Sequence, residues 1–249
     1  MPKGLFERLS EENADYFHEG KLVGVFVMGL GQDHSHHAGF LFAYEERDAE
    51  TNQVKVHETR RLDFVDNHKV MFETFKPGKQ WLHATMDLEP HDAIALSGYL
   101  SGIAQTNDKD PPILYGMVWR GVQGCFDSKG KYTKPDSIDG LTCATFMSEV
   151  IGHMFGETVD FQNWPLPDAK DLEWKAEKLT KLRAKIGRPN ALSAEQIDEM
   201  ENIPKWRRLR PAHMAVGAAA GRSKWPMRHI DADQLATQVI ADFKKEFAA

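Results

Sequence analysis

Cys143 is the residue whose position most favours chemistry, because it lies where a helix is predicted to begin. Apolar residues follow it at helical spacing, and either Thr142 or Asp139 is a suitable N-cap. The thiol would then lie in the first turn, where free amide groups and the helix dipole favour a thiolate and can donate to an oxyanion. Lone cysteines also serve as small buried hydrophobic residues, so a packing role stays open. Cys125, in a glycine-rich loop, has no such setting.

A thiolate nucleophile needs a base, and three of the 11 histidines cluster just before a predicted strand: His34, His36 and His37. Neighbouring residues on a strand point to opposite faces, so only one of His36 and His37 could act as the base. A turn near Asp48 would pair this strand with the alternating segment that follows. Such a hairpin would bring His57 roughly opposite His37, within reach of a shared site.

These segments resemble a known family, the circularly permuted NlpC/P60 papain-like hydrolases, which include the lecithin:retinol acyltransferase-like proteins. His37–Phe42 is similar to the family's histidine strand, and Leu141–Phe146 to its cysteine helix. Val56–Glu58 is similar to the strand that supplies the orienting polar residue. The resemblance covers about residues 23–156 and implies a papain-like core in which the histidine strand precedes the cysteine helix.

The resemblance implies cysteine-dependent hydrolysis or acyl transfer on an amide, peptide or lipid-ester bond, through a thioester. Cys143 would be the nucleophile and His37 the base, and His37 is preferred to His36 because a small residue and a glycine follow it. The third, orienting residue is either His57 or Glu58. No cofactor is implied, and the choice between hydrolysis and acyl transfer stays open.

A non-catalytic metal- or ligand-binding protein is the alternative interpretation. Asp33, His34, His36 and His37 offer ligands within five residues, and His57 could complete a tetrahedral set. The cluster lacks an established ligand spacing, and adjacent ligands are geometrically awkward.

Composition narrows the class of protein. The chain of 249 residues has a net charge of -6 with both signs dispersed, which argues against a nucleic-acid surface. Two cysteines cannot form a disulfide framework, and the acidic first 20 residues do not resemble a secretory signal. The apolar run Leu22–Leu30 is too short to cross a bilayer. We therefore expect a cytoplasmic protein without an integral membrane segment, with specialised export as the open alternative, and of undetermined oligomeric state.

Hydrophobic periodicity predicts an α+β fold in two parts. Residues 1–156 would form the papain-like core, with strands near Val23–Met28 and Ile113–Trp119 and the hairpin between them. Residues 157–249 would form a helical extension, with Ser193 and Gln196 as a capping box. The segment Pro204–Arg228 mixes basic and aromatic residues, predicted to form a solvated connector between helices, with the small-residue stretch Ala215–Gly221, predicted to be a close-packed linker or a mobile lid.

Overall fold

A computed structural model describes most of the chain. The described residues are 5–8, 23–29, 36–47, 50–51, 54–65, 69–76, 81–107, 113–134, 140–188, 191–204 and 206–247. No helix within these ranges is both long enough and apolar enough to cross a membrane.

The framework is a six-stranded antiparallel sheet with the strand order β1-β6-β2-β3-β4-β5. The long central hairpin of β3 and β4 carries a register irregularity at Glu46/Arg47. The strands are β1 (Glu7–Arg8), β2 (Val23–Gly29), β3 (His36–Arg47), β4 (Val54–Val65), β5 (Lys69–Thr74) and β6 (Trp81–Thr85).

Helices account for most of the rest of the described chain, and three of them begin with a capping box. Side chains at Thr142, Asp168 and Ser193 accept hydrogen bonds from the first turns of their helices. The helices are α1 (Pro90–Thr106), α2 (Cys143–Phe155), α3 (Ala169–Arg183), α4 (Ala194–Asn202), α5 (Pro211–Ala219) and α6 (His229–Phe247).

Helix α2 is held against the sheet by aromatic packing. The fully buried Phe146 ring lies 6.3 Å from that of Phe40 on β3 and 6.2 Å from that of Phe64 on β4. A smaller cluster, comprising Phe26, Leu41, Phe75 and Trp81, packs separately from this main core. Because side chains alternate along a strand, the odd-numbered residues of β3 and β4 share a side with this smaller cluster. The contacts of Phe146 with Phe40 and Phe64 hold α2 against the two central strands.

The α+β class and the central hairpin are confirmed, whereas the strand predicted at Ile113–Trp119 is wrong. That segment makes only isolated bridges, Tyr115 with Leu141 and Trp119 with Arg207. Its buried apolar residues join the main core without pairing into the sheet. The apolar run therefore indicates correctly that the segment is buried. An apolar run alone does not show that a segment pairs into a sheet.

The C-terminal helices contribute to the same main core as the sheet. Helix α5 packs against β2, β3 and α2, and residues 212–219 are buried along its length. Helix α6 packs on α5. The close-packed character predicted for Ala215–Gly221 is confirmed, and the second half of α5 occupies most of this stretch.

Candidate active site

Cys143 is the first residue of α2, as the sequence predicts. The N-cap is Thr142, whose hydroxyl accepts a hydrogen bond from the Thr145 amide at 3.2 Å, while the Thr145 hydroxyl accepts one from the Thr142 amide at 2.7 Å. Asp139, the other predicted cap, lies outside the described residues. The capping box fixes the first turn, and Cys143 remains partly exposed. The thiol is thus presented at the positive end of a rigid helix.

The imidazole of His37 connects this thiol to a buried carboxylate. His37 Nε2 lies 2.6 Å from Asp63 Oδ2, and Asp63 is 1% exposed. His37 is also hydrogen-bonded to Cys143. Since Nε2 is engaged by Asp63, Nδ1 is the ring nitrogen that remains for the sulfur. The three side chains form a continuous thiol–imidazole–carboxylate triad, an arrangement that can activate a thiol for nucleophilic attack.

Gly39 makes the approach of His37 to Asp63 possible. In the β3–β4 register Phe40 faces Leu62, so Gly39 lies beside Asp63. A Cβ atom at Gly39 would lie 2.6 Å from the Asp63 Cβ and 2.8 Å from the Leu62 carbonyl oxygen. His37 is two residues away on the same side of β3, in the diagonal position from which a long side chain reaches across strands. A glycine at position 39 therefore leaves room for the carboxylate beneath the imidazole.

Electrostatics favour the ionised form of the Cys143–His37 pair. Burial lowers the pKa of His37, but the Cys143 charge and the hydrogen bonds to Asp63 and Cys143 outweigh burial and raise the pKa to about 10. Burial raises the pKa of Cys143, but the His37 charge and hydrogen bonds from His37 and the Ala38 amide lower it below its usual value. Both shifts act toward a thiolate on Cys143 and an imidazolium on His37.

The predicted orienting residues, His57 and Glu58, are not at this site. The β3–β4 register places His57 opposite Glu45, eight residues along the strand from His37, a distance of roughly 26 Å. Glu58 instead accepts a hydrogen bond from the Thr74 hydroxyl at 2.7 Å and forms an ion pair with Arg60. The prediction fails because the β3–β4 register centres the hairpin near residues 50–51, further along the chain than the predicted turn. The residue that contacts His37 is Asp63.

Asp63 is the site residue that the sequence analysis missed. It stands between Leu62 and Phe64, two fully or almost fully buried residues whose side chains join the main core. Arg61 Nε lies 3.5 Å from Asp63 Oδ1, and Arg61 also pairs with Glu73 at 3.0 Å. The sequence signal that could have identified Asp63 is an acidic residue near the end of a buried strand. A carboxylate in such a position requires a hydrogen-bonding or charged partner.

The triad opens into a cavity of about 680 Å³ that is lined by both halves of the chain. The lining comes from β2, β3, β4, Tyr115 and the start of α2, and from α3, α5, α6 and residues 208–210. The Arg208 guanidinium lies 3.9 Å from the centre of the Trp174 ring and 2.9 Å from the Asp171 carboxylate. Several cationic side chains line the cavity: Arg61, Lys178, Arg208, Arg210 and Lys244. The cavity is large enough for a substrate segment and presents both charge and an aromatic surface.

The predicted histidine cluster is divided in the structure. Asp33 and His34 lie outside the described residues. The His36 ring packs edge-on against Phe243 at 5.8 Å, while His37 is engaged by Asp63 and Cys143. Within the described ranges, the three-residue group suited to a metal ion lies elsewhere, at the α5–α6 contact.

Comparison with known proteins returns no relatives. No protein-family model matches the chain, and neither does any curated protein or solved structure. The chemistry of Cys143, His37 and Asp63 is therefore interpreted from their own contacts and surroundings.

Proposed function

We propose that this protein is a cysteine-dependent hydrolase or acyltransferase with a papain-like arrangement of its catalytic groups. Cys143 is the nucleophile, His37 the general base and acid, and Asp63 the residue that orients the imidazole. The observation that carries the proposal is the hydrogen-bonded chain from Cys143 through His37 to the buried Asp63 carboxylate, at the edge of a large cavity.

The order of elements supports the permuted NlpC/P60-like form of that arrangement. The histidine strand β3 precedes the cysteine helix α2, and the carboxylate lies on β4, the strand next to β3. This is the order that the sequence resemblance implies, with Asp63 taking the role first expected of His57 or Glu58.

The reaction begins with the Cys143 thiolate. Its sulfur forms a bond to the carbonyl carbon of an amide or ester, and the carbonyl oxygen takes the negative charge. The Cys143 backbone amide, at the unpaired start of α2, can donate to this oxyanion. The imidazolium of His37 then gives its proton to the leaving amine or alcohol as the carbon–nitrogen or carbon–oxygen bond breaks. A thioester on Cys143 remains.

The second half of the reaction releases the acyl group. Neutral His37 accepts a proton from water or from an acceptor amine, whose oxygen or nitrogen attacks the thioester carbonyl. The carbon–sulfur bond breaks and regenerates the thiolate beside the imidazolium. Throughout the cycle Asp63 holds the ring through Nε2 and balances its positive charge, as the carboxylate of a triad does.

Trapping of the acyl group tests this proposal. On mixing with p-nitrophenyl acetate, we expect a burst of about one equivalent of p-nitrophenolate per chain, because acylation of an activated thiolate outruns release of the acyl group. Peptide mass spectrometry should locate the acetyl group on Cys143.

The second cysteine provides the matched control. Cys125 is 1% exposed, so Cys125→Ala should retain the burst while Cys143→Ala loses it. An undiminished burst in Cys143→Ala, in a chain with wild-type circular dichroism, would refute the assignment of the nucleophile.

A further inference from the structure

A second cluster of functional side chains lies where α5 meets α6. His213 projects from α5, and His229 and Asp233 come from the first turns of α6, four residues apart and hence on one face of that helix. One nitrogen or oxygen atom from each of the three lies within 4.8 Å of the others. His213 Nε2 is 3.1 Å from Asp233 Oδ1.

The cluster is rigidly held. The Trp164 ring makes edge-on contacts with both imidazoles, with centroid distances of 5.5 Å to His213 and 4.8 Å to His229. Trp164 is itself fixed, because its indole N–H donates to the Arg208 carbonyl oxygen at 3.1 Å. The two imidazole rings lie 5.4 Å apart and nearly perpendicular, at 80°. Fixed rings of this kind limit the rearrangement that ligand binding would require.

Two features indicate that a ligand belongs at this cluster. His213 is 3% exposed, and its Nδ1 has no hydrogen-bond partner among the described residues, so the choice of the nitrogen offered to an ion is not fixed by a second contact. His213 and Asp233 also line the cavity, so the cluster is accessible from it. The nearby Arg210 is ion-paired with Asp168 at 3.1 Å and with Asp171 at 2.9 Å, which offsets its charge.

We infer that His213, His229 and Asp233 bind a divalent transition-metal ion of the Zn²⁺ type, with an open coordination position toward the cavity. Two imidazoles and one carboxylate are a common zinc donor set, and three protein ligands leave a position for water or for a substrate group. Bond lengths of about 2.0–2.2 Å place tetrahedral ligand atoms roughly 3.3–3.5 Å apart. Side-chain rotations that move the ligand atoms by little more than about 1 Å would therefore bring all three atoms into contact with the ion.

Zinc binding should be measured on the full chain with its affinity tag removed and with Cys143 changed to serine. The serine removes the thiolate as a zinc ligand, so the result does not depend on the proposed acyl-transfer chemistry. We expect about one equivalent of Zn²⁺ by calorimetry, and tetrahedral d–d absorption when Co²⁺ is bound instead.

Variants at His229 and Asp233, which are less buried than His213, test zinc binding with less disturbance of folding. His229→Ala and Asp233→Asn should each weaken Zn²⁺ binding at least about tenfold, the loss that even outer-shell partners of a metal site show. His91→Ala is the control, because that side chain is 81% exposed at the start of α1. Unchanged affinity in both ligand variants would assign the ion to another position, such as residues 33–37, and would overturn the inference. Absence of stoichiometric binding in the Cys143→Ser chain would overturn it as well.

Discussion

Asp63→Asn separates the charge of the buried carboxylate from its shape. Asparagine is nearly isosteric, and its amide oxygen can still accept a hydrogen bond from His37 Nε2, which lies 2.6 Å from Asp63 Oδ2. The change removes the negative charge that stabilises the imidazolium of His37. It also removes a weaker direct repulsion between Asp63 and the Cys143 thiolate, which opposes the first effect.

The magnitude of the change follows from the contact that is lost. A hydrogen bond to a charged group contributes about 1.5–3 kcal/mol, and about 1.4 kcal/mol corresponds to one pKa unit. After allowance for the relieved repulsion, the apparent pKa of the Cys143 thiol should rise by about one to two units in Asp63→Asn. The ultraviolet absorbance of the thiolate, taken as a difference against Cys143→Ser, measures this pKa directly.

The matched control is Glu58→Gln on the same strand. Glu58 contacts Thr74 and Arg60 and not the triad, so the same loss of a carboxylate charge should leave the Cys143 pKa unchanged. Equal pKa values in wild type and Asp63→Asn would refute the electrostatic link between the carboxylate and the thiolate. A shift of the same size in Glu58→Gln would attribute the effect to general charge and not to the triad.

Two further predictions concern stability and are measured by urea unfolding. Gly39→Ala should lower the free energy of unfolding by about 1–3 kcal/mol, because the new methyl group would lie 2.6 Å from the Asp63 Cβ. The control is Gly98→Ala in α1, where a Cβ atom would meet no neighbouring atom within 4 Å, so this change should be neutral or stabilising. Glu149→Ala should cost about 2–4 kcal/mol, because the buried carboxylate accepts two backbone hydrogen bonds, at 2.6 and 3.0 Å. Glu177→Ala should cost far less, because Glu177 belongs to an exposed i,i+4 ion pair. The reverse ranking within either pair would contradict the packing described.

Local signals in the sequence were sufficient to predict that Cys143 lies at the start of a helix. Thr142, Cys143 and the apolar positions after them specify a helix start through contacts within one or two turns. Ser193 and Gln196 do the same for α4. His37 was predictable because a small residue and Gly39 follow it at the start of a buried strand.

The third member of the triad could not be predicted, because it depends on hairpin register. Shifting the turn from Asp48 to residues 50–51 moves the position opposite His37 by several residues along β4. Neither the two 12-residue strands nor the irregularity at Glu46/Arg47 has a strong local signal. Asp63, and not His57 or Glu58, could therefore be identified as the residue beside His37 only from the β3–β4 pairing.

The α5–α6 cluster was hidden for a similar reason. Helix α5 is buried along nearly its whole length, so its sequence lacks the polar face by which a surface helix is detected. His213 comes close to His229 and Asp233 only through the packing of the two helices. Contacts that are distant in the sequence therefore determine this part of the cavity.

The reactivity of the Cys143 thiol toward iodoacetamide tests the central claim most directly. Mass spectrometry can follow alkylation of Cys143 and of the buried Cys125 in the same sample, in wild type and in His37→Ala. With a thiolate–imidazolium pair, Cys143 should react rapidly below pH 7, well under the usual thiol pKa near 8.5, and this reactivity should disappear in His37→Ala. Reaction of wild-type Cys143 only near pH 8.5, or only after unfolding, would contradict the account.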